Sequence, residues 1–217
     1  MKNKDRVLSL TAFLICVLTG TVQGQTPPGA CFYLEGFEGE DALAGWDVGG
    51  DVEVLTPAGA GTGEFVPAWR ISNAEEANID GYFPVVDQPA GNRSVSANDA
   101  AAPCNCNMDN VVLTSPVFDF SSHSNVALEL RIFNEMAFGS GSAIIEADRG
   151  DDNWLLLDTL PVMVGAWQSI FVDLSAFDNE AAVHIRFRWS DGGAWASGFA
   201  IDDLCIRDRL SNDLSVL

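Results

Sequence analysis

The feature that most constrains the fold is a regular alternation between short apolar runs and clusters of turn-forming residues. Clusters of Gly, Asp, Asn and Ser recur roughly every 8–15 residues after residue 25, and the runs between them have the length of strands. In Asn125–Phe133, NVALELRIF, apolar and polar side chains alternate, and Ala182–Trp189, AVHIRFRW, repeats the pattern. Such strands bury one face and expose the other to water. No stretch keeps a helical period for three turns, so we predict an all-β, two-sheet antiparallel β-sandwich.

The pattern also predicts the individual strands. They are Phe32–Phe37, Val52–Leu55, Ala68–Ser72, Ser94–Ala97, Val111–Pro116, Val117–Phe118, Asn125–Asn134, Ser142–Asp148, Trp154–Leu160, Trp167–Asp173, Ala182–Trp189 and Phe199–Ile206. The stretch Thr56–Phe65, TPAGAGTGEF, is rich in glycine and is predicted to be a loop.

The N-terminus has the pattern of a secretory signal peptide. A basic start precedes an apolar run, Val7–Val22, which is short for a transmembrane span and is interrupted by threonine and glycine, and Val22-Gln23-Gly24 is a suitable cleavage box. We predict a secreted protein, extracellular or at the cell surface, without a membrane span. Its predicted parts are a signal peptide over 1–24, a leader over 25–31, one folded domain over 32–206 and a tail or linker over 207–217.

The folded part of the chain is strongly acidic. The whole chain has a net charge of −20, and removing Lys2, Lys4, Asp5 and Arg6 with the signal leaves 8 arginines against 30 acidic residues, which is a net charge of −22. Such a charge makes nucleic acid and anionic membranes poor partners. It favours solubility outside the cell, divalent cation binding, or both.

Cysteine usage fits an oxidising compartment. Four cysteines remain after residue 24, namely Cys31, Cys104, Cys106 and Cys205, and four cysteines allow three pairings. Cys31 and Cys205 lie in the first and last strand-like segments, whereas Cys104 and Cys106 are two residues apart. We therefore predict one disulfide between Cys31 and Cys205 and a second, in a tight loop, between Cys104 and Cys106.

The last predicted strand contains an anomaly. Gly198–Ile206, GFAIDDLCI, places Asp202 and Asp203 in an apolar run, and no lysine or arginine lies close enough in sequence to be an obvious partner. A buried carboxylate is costly unless it is paired. The segment therefore needs a partner from elsewhere in the fold or from solution.

Several motifs occur in a characteristic order. These are FYLEGFEGEDALAGWDV, SVSANDA, DNVVLTSPVFDFSSHSNVALELRIFN, AIIEADRGDDNWLLLDTL, AWQSIFVDLSAF, VHIRFRW and GFAIDDLCI. Their order and spacing over Phe32–Ile206 resemble the MAM-like jelly-roll family of bacterial secreted proteins, which includes choice-of-anchor J and cleaved-adhesin domains. The resemblance implies a jelly roll whose first and last strands are neighbours, as a Cys31–Cys205 bridge requires. It also implies a noncatalytic extracellular module for adhesion or for glycan or protein binding; the alternative is the N-terminal accessory domain or a fragment of a larger secreted hydrolase.

The resemblance further implies a structural calcium ion between the terminal strands. Its side-chain ligands are then Glu38 of the first "FE" motif and Asp202 of the closing "IDD" motif, with Asp203 as the alternative and Asn98 or Asp99 as the next candidate. Calcium accepts six to eight oxygens from carboxylates and carbonyls, and two strands and a loop can supply these without an EF-hand.

Catalytic motifs are not evident in the sequence. His123 lies in a polar turn and His184 on the polar side of a strand, and no nucleophile elbow or HExxH motif occurs, so we predict that the chain is not an enzyme. Among the tryptophans, Trp46, Trp167 and Trp189 have strand-like contexts typical of core packing. Trp154 and Trp195 lie near loops and are the candidates for a ligand platform.

Overall fold

The alternating pattern forms twelve strands in the part of the chain that the structure describes. A computed structural model describes residues 29–39, 41–78, 81–86, 89–99, 106–136, 141–162, 165–193 and 197–210. The strands are β1 Cys31–Glu35, β2 Asp51–Leu55, β3 Gly61–Pro67, β4 Arg70–Ser72, β5 Ser94–Ala97, β6 Val111–Thr114, β7 Val126–Glu135, β8 Ser142–Asp148, β9 Leu155–Thr159, β10 Gln168–Asp173, β11 His184–Ser190 and β12 Gly198–Asp208. One short helix, α1, spans Ala74–Ala77, and a 3₁₀ turn spans Ser175–Phe177.

The strands form two large antiparallel sheets and one hairpin. The six-stranded sheet has the order β10-β7-β12-β5-β4, and β1 pairs with the second half of β12. The four-stranded sheet has the order β6-β11-β8-β9, and β2 pairs with β3. This architecture confirms the predicted all-β sandwich, and the β1–β12 pairing confirms that the first and last strands are neighbours.

The main core lies between the two large sheets. Alternate residues of β7 and β11 point into it, as the sequence pattern predicts: Val126, Leu128, Leu130, Ile132, Ile185, Phe187 and Trp189. Trp46 is buried in the same core, so its predicted packing role is confirmed. Burial of this many apolar side chains is the dominant stabilising term in a domain of this size.

The opposite side of the six-stranded sheet, which we call the outer face, carries a second and smaller apolar cluster. Ala77, Phe83 and Val85 come from the segment between β4 and β5 and pack against Phe133 and Ala200 of the sheet. Trp167 packs against Phe133 in this cluster, with ring centroids 5.8 Å apart. The segment after β4 is therefore held over the sheet by apolar contacts, and it covers one edge of the outer face.

A bulge in β12 explains how the GFAIDDLCI segment is accommodated. The register of β12 against β7 shifts between Asp202 and Cys205, and Asp203 adopts a positive φ of 50°. Ile201 and Leu204 are both in the main core because the bulge inserts an extra residue between them. Asp202 consequently lies on the outer face and Asp203 is exposed.

Two predictions about secondary structure are wrong. Val117–Phe118 was predicted to be a strand, but Phe118 forms only an isolated bridge with Val183. Residues 61–67 form β3, although Thr56–Phe65 was predicted to be a loop. Most side chains of β3 are exposed, so the strand is held by its ladder with β2 rather than by burial, and it shows no apolar alternation. In the described ranges, no helix has the length and apolar character that crossing a membrane requires.

Candidate functional site: a buried aspartate beside a polar cavity

Asp202 is the most buried of the predicted site residues. Its side chain is 1 % exposed, and both carboxylate oxygens accept hydrogen bonds, from Asn92 Nδ2 at 2.7 Å and from the backbone N–H of Asp203 at 2.7 Å. Burial raises the pKa of Asp202 to about 7, and the nearby carboxylates of Asp203 and Glu38 raise it further against the opposing effects of that backbone hydrogen bond and of Arg131. The carboxylate therefore lies in surroundings that favour its protonation or a positive charge next to it.

Glu38 lies close enough to Asp202 for its charge to act on the Asp202 carboxylate. It follows Phe37, which is fully buried at a positive φ of 53° and whose N–H is held by the Glu35 carboxylate at 2.8 Å. The backbone N–H of Arg93 donates to Glu38 Oε2 at 3.1 Å, while the adjacent Asn92 donates to Asp202. The two carboxylates predicted to share a metal ion thus contact the same two-residue segment, Asn92–Arg93.

The other predicted metal ligands lie in different surroundings. Asp203 is exposed and forms an ion pair with Arg131 at 3.2 Å. Asn98 is 2 % exposed and donates to the Ala77 carbonyl at the end of α1 at 2.5 Å. Asp99 is equally buried. Within the described residues, no three His, Cys, Asp or Glu side chains group together in a way that could hold a metal ion.

The structure tests one of the two predicted disulfides. The Cys31–Cys205 bond is present, with a Cα–Cα distance of 5.4 Å across the β1–β12 pair, so that prediction is confirmed. Cys106 is in the disulfide form, and Cys104, its predicted partner, lies outside the described residues.

A polar cavity of about 320 Å³ opens on the outer face next to the Asn92–Arg93 segment. Its floor is formed by β4 and β5, where Arg70 is opposite Ser96, and its wall is formed by α1 and Arg93. The cavity is lined by Arg70, Ile71, Ser72, Glu76, Ala77, Arg93, Ser96 and Asn98.

The polar groups of the cavity are partly organised by one another. The hydroxyl groups of Ser72 and Ser96 are 3.2 Å apart. The Arg93 guanidinium donates to the Ile71 carbonyl at 3.2 Å and pairs with Glu76 at 3.1 Å, and Glu76 also closes the capping box of α1. These contacts hold the wall of the cavity against its floor.

Of the two tryptophans predicted as ligand platforms, the structure describes one, Trp154. Trp154 is half-buried, and the Arg186 guanidinium lies over its ring at 3.9 Å from the centroid, so one face is occupied. Trp195 lies outside the described residues. The histidines also have partners: His184 Nδ1 is 2.9 Å from Asp148, and His123 Nδ1 is 3.1 Å from Asp208.

Sequence reasoning missed three residues of this region. Asn92, Arg93 and Arg70 are distant from Asp202 in sequence, and Asn92 reaches it across 110 positions. A weak signal for the arginines is their scarcity, because only 8 occur after residue 24. The rest of the information is in the strand pairing, which the sequence pattern does not specify.

Comparisons with known proteins agree with this architecture. No protein-family model matches the chain, and no curated protein matches it in sequence. The K1 cleaved adhesin domain of Lys-gingipain from Porphyromonas gingivalis W83 matches in structure with a TM-score of 0.53 and 16 % identity, over 82 % of this chain and 98 % of that one. The fold is of the cleaved-adhesin type.

A second solved structure shares the architecture. The CBM22-1 xylan-binding domain of Xyn10C from Paenibacillus barcinonensis matches with a TM-score of 0.50 and 12 % identity, over 86 % of this chain and 100 % of that one. At these identities the likeness shows the fold alone, and it bears out the cleaved-adhesin part of the resemblance inferred from the order of the motifs. The chemistry has to be argued from the residues themselves.

Proposed function

We propose that the chain is a secreted, noncatalytic binding module that recognises an extracellular glycan at the outer face of the six-stranded sheet. The observation that carries this proposal is the polar cavity beside Asn92–Arg93, which is lined by hydroxyl, amide and guanidinium groups. Its volume lies at the lower end of the range for ligand pockets. The matching domains support the same class of function, since one is named an adhesin domain and the other a xylan-binding domain.

The lining of the cavity supports binding rather than hydrolysis. Glycoside hydrolysis generally uses two carboxylates that flank the scissile bond. Among the described residues of the lining, Glu76 is the one carboxylate, and it is engaged by Arg93 and by the capping box. The lining has two serine hydroxyls and one amide, that of Asn98, around one engaged carboxylate, and such groups are suited to hydrogen bonding with sugar hydroxyls.

An extracellular location is supported by two features. The N-terminal 24 residues, which lie outside the described ranges, have the signal-peptide pattern. The Cys31–Cys205 disulfide is the kind of bond that persists in oxidising compartments. A surface glycan is therefore the proposed partner, and an extracellular protein is the alternative outcome of the test below.

We further propose that a calcium ion stabilises the module at Asp202. The donors that fit are the buried Asp202 carboxylate and the Glu38 carboxylate, with the Asn92 side-chain carbonyl available after rotation of its amide. Backbone carbonyls and water can complete the six to eight oxygens that calcium takes. A divalent ion there would offset the desolvation of Asp202 and the repulsion between the two carboxylates.

A glycan array probed with the secreted chain tests the glycan proposal. We expect binding to a defined subset of glycans in calcium, at least tenfold weaker binding for Arg93→Ala, and unchanged binding for Arg149→Ala, whose side chain contacts Glu180 and Ala176 away from the cavity. Absence of binding to every glycan would contradict the proposal and favour a protein partner. Binding that is unaffected by Arg93→Ala would contradict the assignment to this cavity.

A further inference from the structure

Among the arginines that the structure describes, one forms no ion pair. All eight arginines after residue 24 are among the described residues. Seven of them pair with a carboxylate: Arg93, Arg131, Arg149, Arg186, Arg188, Arg207 and Arg209. The eighth, Arg70, has no hydrogen bond or ion pair to its guanidinium within the part of the chain that the structure describes.

The position of Arg70 makes this exception unusual. In a chain with a net charge of −20, carboxylates greatly outnumber arginines, so a single unpaired arginine is not explained by a shortage of partners. Arg70 is half-buried, and burial lowers the pKa of its guanidinium with no anion to oppose the effect. A desolvated cation without a partner is unfavourable for folding. The free guanidinium lines the cavity, where an anion from solution can reach it.

The charge of the cavity lining also favours an anionic ligand. Two arginines and one glutamate line it, and the Arg93–Glu76 pair is neutral, so the lining keeps the single positive charge of Arg70. One free guanidinium matches one planar carboxylate, to which it can donate two parallel hydrogen bonds. A multiply charged group such as a phosphate monoester would leave part of its charge uncompensated among so many acidic residues.

We propose that the cavity is a subsite for a uronic acid residue of the glycan, in which Arg70 binds the sugar carboxylate and the groups around Ser72, Ser96 and Asn98 face the ring hydroxyls. This inference rests on the proposed function, and it adds that the bound glycan is acidic. The paired serine hydroxyls, 3.2 Å apart, have both donor and acceptor capacity, which suits the alternating hydroxyls of a sugar ring better than a peptide side chain.

The experiment compares two sugars that differ in the carboxylate. The secreted chain is titrated with D-glucuronate and with D-glucose in calcium, and the affinities are read from backbone amide shifts in NMR spectra. We expect glucuronate to bind at least tenfold more tightly than glucose. Arg70→Gln should abolish the difference, whereas Arg149→Gln, the matched control, should keep it. Melting curves of both variants establish that they are folded.

The outcomes separate this inference from the proposed function. Equal affinity for the two sugars, or a preference that persists in Arg70→Gln, overturns the inference, while binding of neutral glycans on the array leaves the proposed function standing. If acetate binds as tightly as glucuronate and no glycan binds on the array, the cavity is a plain carboxylate site, and both the sugar assignment and the glycan function are overturned. A glucuronate preference together with array hits confined to uronate-containing glycans supports both.

Discussion

Asp202 is a buried acidic residue and Arg70 a half-buried basic residue, and both lie on the same face of the same sheet. Asp202 is 1 % exposed and is held by two hydrogen bonds of 2.7 Å, whereas Arg70 is half-buried and lacks such bonds within the described residues. The carboxylate is thus held by hydrogen bonds, and the guanidinium is not. The difference is consistent with the structural role proposed for Asp202 and the binding role proposed for Arg70, because a structural ion needs rigid donors and a ligand needs an accessible one.

The two regions share a short connection. Asn92 donates to Asp202, the backbone N–H of Arg93 donates to Glu38, and the Arg93 side chain forms the wall of the cavity. A metal ion at Asp202 would therefore order the same segment that shapes the cavity. Separate changes at Asp202 and at Arg70 test whether the two residues have these different roles.

The largest effect on stability is expected from removal of the disulfide that joins β1 to β12. The Cys31–Cys205 bond closes a separation of 174 residues, for which the chain-entropy model gives about 5 kcal/mol. The double variant Cys31→Ser/Cys205→Ser should lose a free energy of unfolding of that order, measured by urea denaturation at pH 7 in calcium. A loss below about 1 kcal/mol would mean that β1 is held by its ladder with β12 rather than by the disulfide.

The pH dependence of the metal-free protein is expected to be the next largest effect. The pKa of Asp202 is about 7 in the folded protein and 3.8 without the fold. Between these values the folded state keeps a proton that the unfolded state has lost, so stability falls as the pH rises from about 4 to about 7, by up to roughly 4 kcal/mol. Below pH 4 and above pH 7 this contribution is level.

The measurement is the difference in free energy of unfolding between wild type and Asp202→Asn, taken in EDTA at each pH. The contributions of the other carboxylates are the same in both proteins and cancel in this difference. The wild type should lose stability relative to Asp202→Asn across this range of pH. Asp203→Asn should show a loss of the same sign but smaller size, because one of the charges that raise the pKa of Asp202 is then removed. Asparagine at 203 tolerates the positive φ found there, which makes it a matched control. A constant difference between wild type and Asp202→Asn from pH 4.5 to 7.5 would show that Asp202 is already compensated by the protein itself.

Calcium is expected to act on the same residue with a smaller effect. At a concentration about 100-fold above its dissociation constant, a ligand of the folded state stabilises by about 3 kcal/mol, which corresponds to a rise in Tm of about 5–10 °C for a domain of this length. We expect this rise on adding calcium to EDTA-treated wild type at pH 7.5, its loss in Asp202→Asn, and its retention in Asp203→Asn. Equal melting in calcium and EDTA, with no bound metal by elemental analysis, would contradict a calcium role.

Much of the fold could be predicted because its determinants are local. Alternation in β7 and β11 reports which side chains face the core, and the terminal positions of Cys31 and Cys205 are compatible with a bridge between neighbouring strands. The hairpin strand β3 was missed because its side chains are exposed and carry no burial signal. The sequence pattern therefore predicts strands that pack against the core and gives no signal for a strand whose side chains are exposed.

The candidate site could be predicted only in part. The anomaly of two aspartates in an apolar strand singled out Asp202, and the resemblance linked it to Glu38. Neither pattern nor resemblance indicated Asn92 or Arg70, because their roles depend on a register of β12, β5 and β4 that brings distant residues together. The bulge that turns Asp203 away from Asp202 was equally invisible, although it determines which of the two acids is buried.

The smallest expected effect tests the Arg70 side directly. Replacing a desolvated, unpaired cation by an apolar side chain of similar length removes its desolvation cost, so Arg70→Met should raise the free energy of unfolding by about 1 kcal/mol in the absence of ligand. Arg93→Met, at the same cavity, should lower it by about 1 kcal/mol, since Arg93 has hydrogen-bonded partners in Ile71 and Glu76. Urea denaturation of both variants measures the two changes in the free energy of unfolding, which we expect to have opposite signs. If Arg70→Met is destabilising to the same degree as Arg93→Met, Arg70 is a structural arginine, and the distinction between a fixed carboxylate and a free guanidinium fails.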